Sequence, residues 1–189
     1  MKQEFYDALE ANPVIAAVKD MSGLKECCGQ EDIKVVFVLF GDICTIGDIV
    51  KYVKDADKIA MVHTDLISGL GSKEVAVDFI KKHTEADGII TTKPALIKRA
   101  KELSMCTILR CFMLDSMAFE NIKQPQYNVK PDCIEVLPGV MPKVIKKICK
   151  LIKTPIIAGG LITDKEDVMG ALTAGAICVS TTNPKVWKM

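Results

Sequence analysis

Eight short, mostly apolar runs, each closed by a polar or glycine-bearing turn, decide what this chain can fold into. They fall at residues 14–18, 35–40, 59–63, 88–91, 107–112, 133–137, 156–158 and 177–179. Runs this short and this continuously apolar read as strands covered on both faces rather than as helices. Helical stretches separate them. A charged leading segment (1–10) looks like a short helix, and 43–53 is a weaker one. Ser72 is placed to cap a helix with Val75, Ala76, Phe79 and Ile80 inward. Pro94 opens another, with Leu96, Ile97, Ala100 and Leu103 inward, and Ser116 and Pro142 start two more. Residues 22–30 read as a connector, and a loose loop is expected around Pro125.

Strand alternating with helix eight times is the pattern of a parallel sheet with helical crossovers. A closed (β/α)8 barrel typically takes about 250 residues, with a floor near 200. With 189 residues the chain fits one only if its loops are short and its last helix is a stub after Pro184. An open doubly wound sheet is the competitor; the strand count favours the barrel, a compact TIM-like single domain over 1–189.

The stretch from Pro155 to Trp187 is the most informative part of that pattern. After the seventh run, Gly159-Gly160 removes side chains, so backbone N–H groups are approachable. Thr163 and Glu166 have capping-box spacing and open a helix with Val168, Met169, Ala171 and Leu172 along one face; Gly175 suits the left-handed residue that ends it. Ser180, Thr181 and Thr182 follow the eighth run, and Asn183-Pro184 reads as an N-cap before proline at the first helical position. Two adjacent strand exits of this kind can hold a phosphate, and in (β/α)8 barrels that pairing belongs to the last two strands. Gly159, Gly160, Ser180 and Thr181 are the expected phosphate grip.

The remaining polar groups also fall at strand exits: Lys19-Asp20, Asp42, His63 with Asp65, Lys93, Arg110, Asp115 and Glu135. Arg110 interrupts I-L-R-C-F and Glu135 interrupts C-I-E-V-L on what should be neighbouring strands. A charge inside such a run must be paired or sit in a polar pocket, so the two are expected to face each other at the barrel mouth. His63 and Asp65 are two apart and would share a face of an extended strand. They suit a base and its partner, or two metal ligands, but no third ligand stands at suitable spacing, and no metal is expected. Lys19 or Lys93 could form a Schiff base, though each more commonly pairs with an anion. No serine–histidine–acid triad, Walker loop or dinucleotide fingerprint occurs.

Composition narrows the partners. Twenty-five basic residues balance 24 acidic ones, so any polyanion contact must come from a local patch. The best candidate is Lys143, Lys146, Lys147, Lys150 and Lys153, spaced by three and four along a helix opposite Val144, Ile145, Ile148 and Ile152. No acidic residue lies between Glu135 and Asp164. Such a stripe is also what an ordinary solvated face looks like. The eight cysteines include no C-x-x-C pair and mostly sit in apolar runs, which points to a reduced, cytoplasmic protein. No apolar span reaches membrane-crossing length. Apolar helix faces left over can pair subunits, so a homo-oligomer is compatible with the sequence.

Several long runs together resemble the glycerol-3-phosphate-responsive antiterminator family of bacteria. They are M-V-H-T-D-L-I-S-G-L (61–70), L-R-C-F-M-L-D-S (109–116), K-P-D-C-I-E-V-L-P-G-V (130–140) and P-I-I-A-G-G-L-I (155–162). V-V-F-V-L-F-G-D-I (35–43) and the ending V-S-T-T followed by V-W fit as well. The resemblance implies a (β/α)8-like regulator, not an enzyme, that senses glycerol 3-phosphate without a cofactor. It also implies binding to the leader mRNA of glycerol-utilisation genes, which prevents premature termination. The GGL and STT turns match the family's phosphate grip; His63, Asp65, Arg110, Asp115 and Glu135 match its motif positions. Where the family has serine-threonine-basic after strand four and arginine after strand one, this chain has Thr91-Thr92-Lys93 and Lys19, keeping hydroxyl and charge. On this reading Asp65 and Glu135 accept hydrogen bonds from the glycerol hydroxyls, with Arg110 fixing Glu135 or reaching the phosphate, and His63 and Lys93 in support. The rival is a barrel enzyme (isomerase, aldolase or phosphodiesterase) acting on a phosphorylated triose or polyol or a glycerophosphodiester, with His63, Asp65 or Glu135 as acid or base. A phosphate-binding scaffold without an RNA role is a third reading.

Overall fold

The computed structural model describes residues 2–123 and 128–189; the loop expected around Pro125 lies outside them. All eight expected strands form: β1 (Val14–Val18), β2 (Val35–Val38), β3 (Ile59–His63), β4 (Gly88–Thr91), β5 (Cys106–Phe112), β6 (Cys133–Leu137), β7 (Ile156–Gly159) and β8 (Cys178–Thr181). Each pairs in parallel with the next, and β8 pairs with β1, which closes the barrel. The open-sheet alternative is therefore wrong. The ring fits in so short a chain because four of its strands have four residues and the final helix has four.

The helices among the described residues are α1 (Lys2–Ala11), α2 (Met21–Cys28), α3 (Ile46–Lys54), α4 (Val75–His83), α5 (Pro94–Glu102), α6 (Ser116–Asn121), α7 (Pro142–Leu151), α8 (Lys165–Thr173) and α9 (Pro184–Trp187). Apolar stripes such as Ile46, Ile49, Val50 and Val53 on α3, or Leu96, Ile97 and Ala100 on α5, pack on the outer strand faces. α1 has another task. Phe5 and Leu9 are buried with the inward residues of the strands, and the Tyr6 hydroxyl donates to the Asp132 carbonyl, so α1 plugs the end where strands begin.

Local chemistry shifts several elements from their expected places. Residues 22–30 are not a connector: Asp20 accepts from Gly23 N–H and starts α2. α3 begins three residues late because Asp42 takes the N–H groups of Cys44 and Thr45 into a tight turn. Ser72 does not cap α4. Its hydroxyl meets Lys93, and Val75 is 66% exposed while Val77 fills the core position. α8 is capped by Asp164, not Thr163; the Asp167 carboxylate holds Thr163 through N–H and hydroxyl, and Met169 faces outward. Gly175 has the expected positive φ, 110°.

Strand register fixes which side chains meet inside. Stepping up one residue at each pairing leads from Ala17 to Val38, His63, Thr91, Arg110, Val136, Gly159 and Thr181, and returns to Ala17. One residue per strand over eight strands is the stagger of a TIM barrel. Because side chains alternate, odd strands send Ala17, His63, Arg110 and Gly159 into one layer at the mouth. Even strands send Phe37, Ile90, Glu135 and Ser180 into the layer beneath.

Candidate functional site

The upper layer contains an alanine and a glycine, so it cannot fill its own cross-section. Glu135 rises into the gap. Its Oε1 accepts from the Ser180 hydroxyl at 2.6 Å and its Oε2 from Arg110 Nε at 2.6 Å. Glu135 is 1% exposed and the Arg110 side chain 9%, so this is a buried ion pair with a hydroxyl on its far side. The expected facing of Arg110 and Glu135 is present. Arg110 makes no other hydrogen bond among the described residues, which leaves its two terminal amino groups available. Above lies a cavity of about 420 Å³, lined by Ala17, Leu39, Arg110, Glu135, Gly160, Thr182 and neighbouring residues of the β7 and β8 exits.

The four residues of the expected phosphate grip converge here, but their hydroxyls are already engaged. Ser180 donates to Glu135, and Thr181 lies outside the ring, donating to the Ile162 carbonyl at 2.7 Å and accepting from Asn183 N–H. Both belong to β8 rather than to a turn. Gly159 leaves room for the Glu135–Ser180 contact. Gly160 and Leu161 turn the chain with φ of 76° and 63°. Among the described residues the N–H groups of Leu161 and Thr182 meet no acceptor outside the strand ladders. The N-terminus of α9 is closed by Asn183, whose side chain accepts from Lys185 N–H.

His63 and Asp65 do not share a strand face. The chain turns into a 3-10 segment at Thr64–Leu66, and Asp65 swings toward the β4 exit. There its two oxygens accept from the Thr91 hydroxyl, the Thr92 N–H and hydroxyl, and Lys93 Nζ at 3.1 Å. Burial works against the charge of Asp65, yet these donors hold its carboxyl below the ordinary range. Lys93 also donates to Ser72, so Asp65 and Ser72 fix the lysine at the rim. His63 is 2% exposed, and its Nδ1 is enclosed without a partner. Burial, then the charge of Arg110, pushes its pKa down to about 4 against an opposing pull from Asp65, so the ring is neutral at pH 7. Lys19 is exposed. Asp42 serves its own turn, and Asp115 caps α6 by accepting from Ala118 N–H. The described residues contain no group of three or more potential metal ligands.

Sequence reasoning missed Ala17, and it placed Ser72 as a helix cap rather than as a partner of Lys93; Leu161 and Thr182 entered it only as parts of the GGL and STT turns. Ala17 could have been found by counting inward positions from Arg110 around the ring, whereas Ser72 meets Lys93 only through the folded loop.

On the flank, the five lysines are all exposed and α7 buries Ile145 and Ile148. The stripe lacks acidic neighbours in sequence but not in space. Lys143 and Lys146 share a groove with Glu166 and Met169, and Lys147 shares one with Asp115 and Glu120. No described helix is long and apolar enough to cross a membrane.

A closed parallel (β/α)8 barrel with a charged, cavity-bearing mouth is the class that these features define. Within it, the chain belongs to the glycerol-3-phosphate responsive antiterminator family, whose model matches residues 14–187. It is 47% identical over 181 residues to an uncharacterised Escherichia coli K12 protein, YgcP, covering 96% of this chain and 94% of that one. A glycerol uptake operon antiterminator regulatory protein from Listeria monocytogenes superposes with a TM-score of 0.90 at 33% identity, over 94% of this chain and 95% of that one. An antiterminator-related protein from Thermotoga maritima does so with a TM-score of 0.80 at 37% identity, over 93% and 98%.

Proposed function

We propose that this chain is a cytoplasmic, non-catalytic regulator, a single domain over 1–189. It takes glycerol 3-phosphate into the barrel mouth as its effector and, in response, binds the leader mRNA of glycerol-utilisation genes to prevent premature termination. The observation that carries the reading is Arg110: a guanidinium anchored by Nε to Glu135, with two unpartnered amino groups beside a cavity at the β7 and β8 exits. An anion is the natural occupant of such a position. Family membership supplies the class of ligand.

The phosphate sits over Gly160 and the Ser180–Thr182 exit, held by backbone N–H groups and Arg110. The hydroxyls of Ser180 and Thr181 stay on Glu135 and Ile162 and give the site its shape. Glu135 accepts two hydrogen bonds from the protein, and a carboxylate has about four acceptor sites, so it can also take a glycerol hydroxyl. Asp65, with four donors on it, acts through Lys93 instead. Lys143, Lys146, Lys147, Lys150 and Lys153 provide the RNA contact. Ligand binding must favour one of two arrangements of the protein for the transcript to respond.

The test has two arms. Calorimetry compares glycerol 3-phosphate with inorganic phosphate, and labelled leader RNA is titrated with and without the effector at two salt concentrations. Tight, saturable effector binding without turnover, together with effector-dependent RNA affinity, supports the proposal. Equal RNA affinity in both conditions overturns the regulatory part. Conversion of glycerol phosphate or a phosphodiester to product would establish an enzyme instead.

A further inference from the structure

Arg110, Glu135, Asp65 and Lys93 each have a protein partner at the mouth, whereas His63 has none for its buried Nδ1. It stands in the same inward layer as Arg110, with only Ala17 and Gly159 completing the ring. It is 2% exposed, and its Nδ1 is enclosed with no hydrogen-bond partner among the described residues. Buried polar side chains are nearly always satisfied, and the exceptions call for an explanation. A histidine kept for packing alone would normally donate to a carbonyl or carboxylate. Asp65, two residues on, is turned away and occupied by Thr91, Thr92 and Lys93.

We propose that His63 is the residue by which the mouth tells a phosphorylated polyol from a plain phosphate, through a hydrogen bond between its neutral imidazole and a hydroxyl of the ligand. This rests on the reading of the mouth as a glycerol 3-phosphate site. A neutral imidazole offers one donor and one acceptor, and a hydroxyl can answer either. The ionised oxygens of a phosphate monoester accept, and Arg110 offers them two free amino groups. The layer therefore divides the ligand: Arg110 takes the anion, and His63 takes one of the two hydroxyls, the other lying within reach of Glu135. The lower pair, Glu135 with Ser180, forms the floor. A site built to hydrogen-bond a hydroxyl rejects an analogue lacking it, because its buried polar group is then left unpaired.

The test is calorimetry on the full chain with glycerol 3-phosphate, propyl phosphate and inorganic phosphate, for the wild type and His63→Phe. The wild type should bind glycerol 3-phosphate at least about tenfold tighter than propyl phosphate. His63→Phe should close most of that gap by weakening the first while sparing the second, whereas Arg110→Met should weaken both. A folded His63→Phe protein that keeps the gap, or loses affinity for all three ligands alike, overturns the inference and leaves the phosphate site standing. A wild type that binds none of the three removes the site and the inference together. Should the variant fail to fold, the ring nitrogens of wild-type His63 decide by 15N NMR. They must shift with glycerol 3-phosphate and not with propyl phosphate; shifts that are the same with both sink the idea.

Discussion

Gly159 and Glu135 compete for one small volume: a Cβ built on Gly159 would lie 2.5 Å from Glu135 Oε1, and 2.6 Å from the Ser180 hydroxyl bonded to it. The glycine is there to admit a carboxylate. Gly159→Ala should therefore break the Glu135–Ser180 hydrogen bond and cost about 1–3 kcal/mol. Urea denaturation measures the loss, and stability equal to wild type would mean that Glu135 has room elsewhere.

Arg110 and Glu135 should behave as a unit. Removing one partner leaves a charge buried alone, so Arg110→Met or Glu135→Leu should each cost about 3–5 kcal/mol. The double variant should recover much of that, because well-packed apolar replacements of a buried pair are often tolerated. A double-mutant cycle with no coupling between the two would contradict the geometry.

His63 gives stability a particular pH dependence. Its ordinary pKa is 6.5, and burial with the Arg110 charge lowers it to about 4 in the folded protein. Between these values the unfolded chain binds a proton that the folded one does not, so stability rises with pH through this window. The contribution is complete above 6.5 and lost as pH falls toward 4, amounting to roughly 3 kcal/mol at about 1.4 kcal/mol per unit. Asp65 adds a loss of the same sign, but below the ordinary aspartate range. Chemical denaturation of wild type and His63→Phe at steps between pH 4 and 7 checks this, with the flatter profile expected for the variant.

Reversing charge at Lys143, Lys146 and Lys150 should leave the fold unaffected, within about 0.5 kcal/mol, because all three are exposed on α7. Leader RNA affinity should fall, and the slope of affinity against salt should become shallower by about one for each phosphate no longer neutralised. Unchanged affinity and slope would move the RNA-binding surface to another face.

The ring was legible because strand length and apolar continuity are local properties, and eight repetitions leave few alternatives. The Arg110–Glu135 pair was legible for a related reason: a charge in a buried strand must find its opposite nearby. Less visible was anything depending on which side of the turn a side chain falls. Asp65 looked like a strand neighbour of His63, but the 3-10 turn sends it to the next strand's exit. Thr163 looked like the cap of α8 because its spacing to Glu166 is right; Asp164 caps more strongly and draws Asp167 back onto Thr163. Ser180 and Thr181 looked like free hydroxyls, since periodicity cannot reveal that one faces a buried carboxylate and the other a carbonyl.

Among the described residues, Phe5 and Leu9 of α1 pack into the end of the barrel opposite the mouth and close it there. Whatever descends to Arg110 must leave by the way it came. A transcript lying across the rim would slow that departure, and one docked along α7 would leave it unchanged. Effector dissociation rates measured with and without RNA would separate these two geometries.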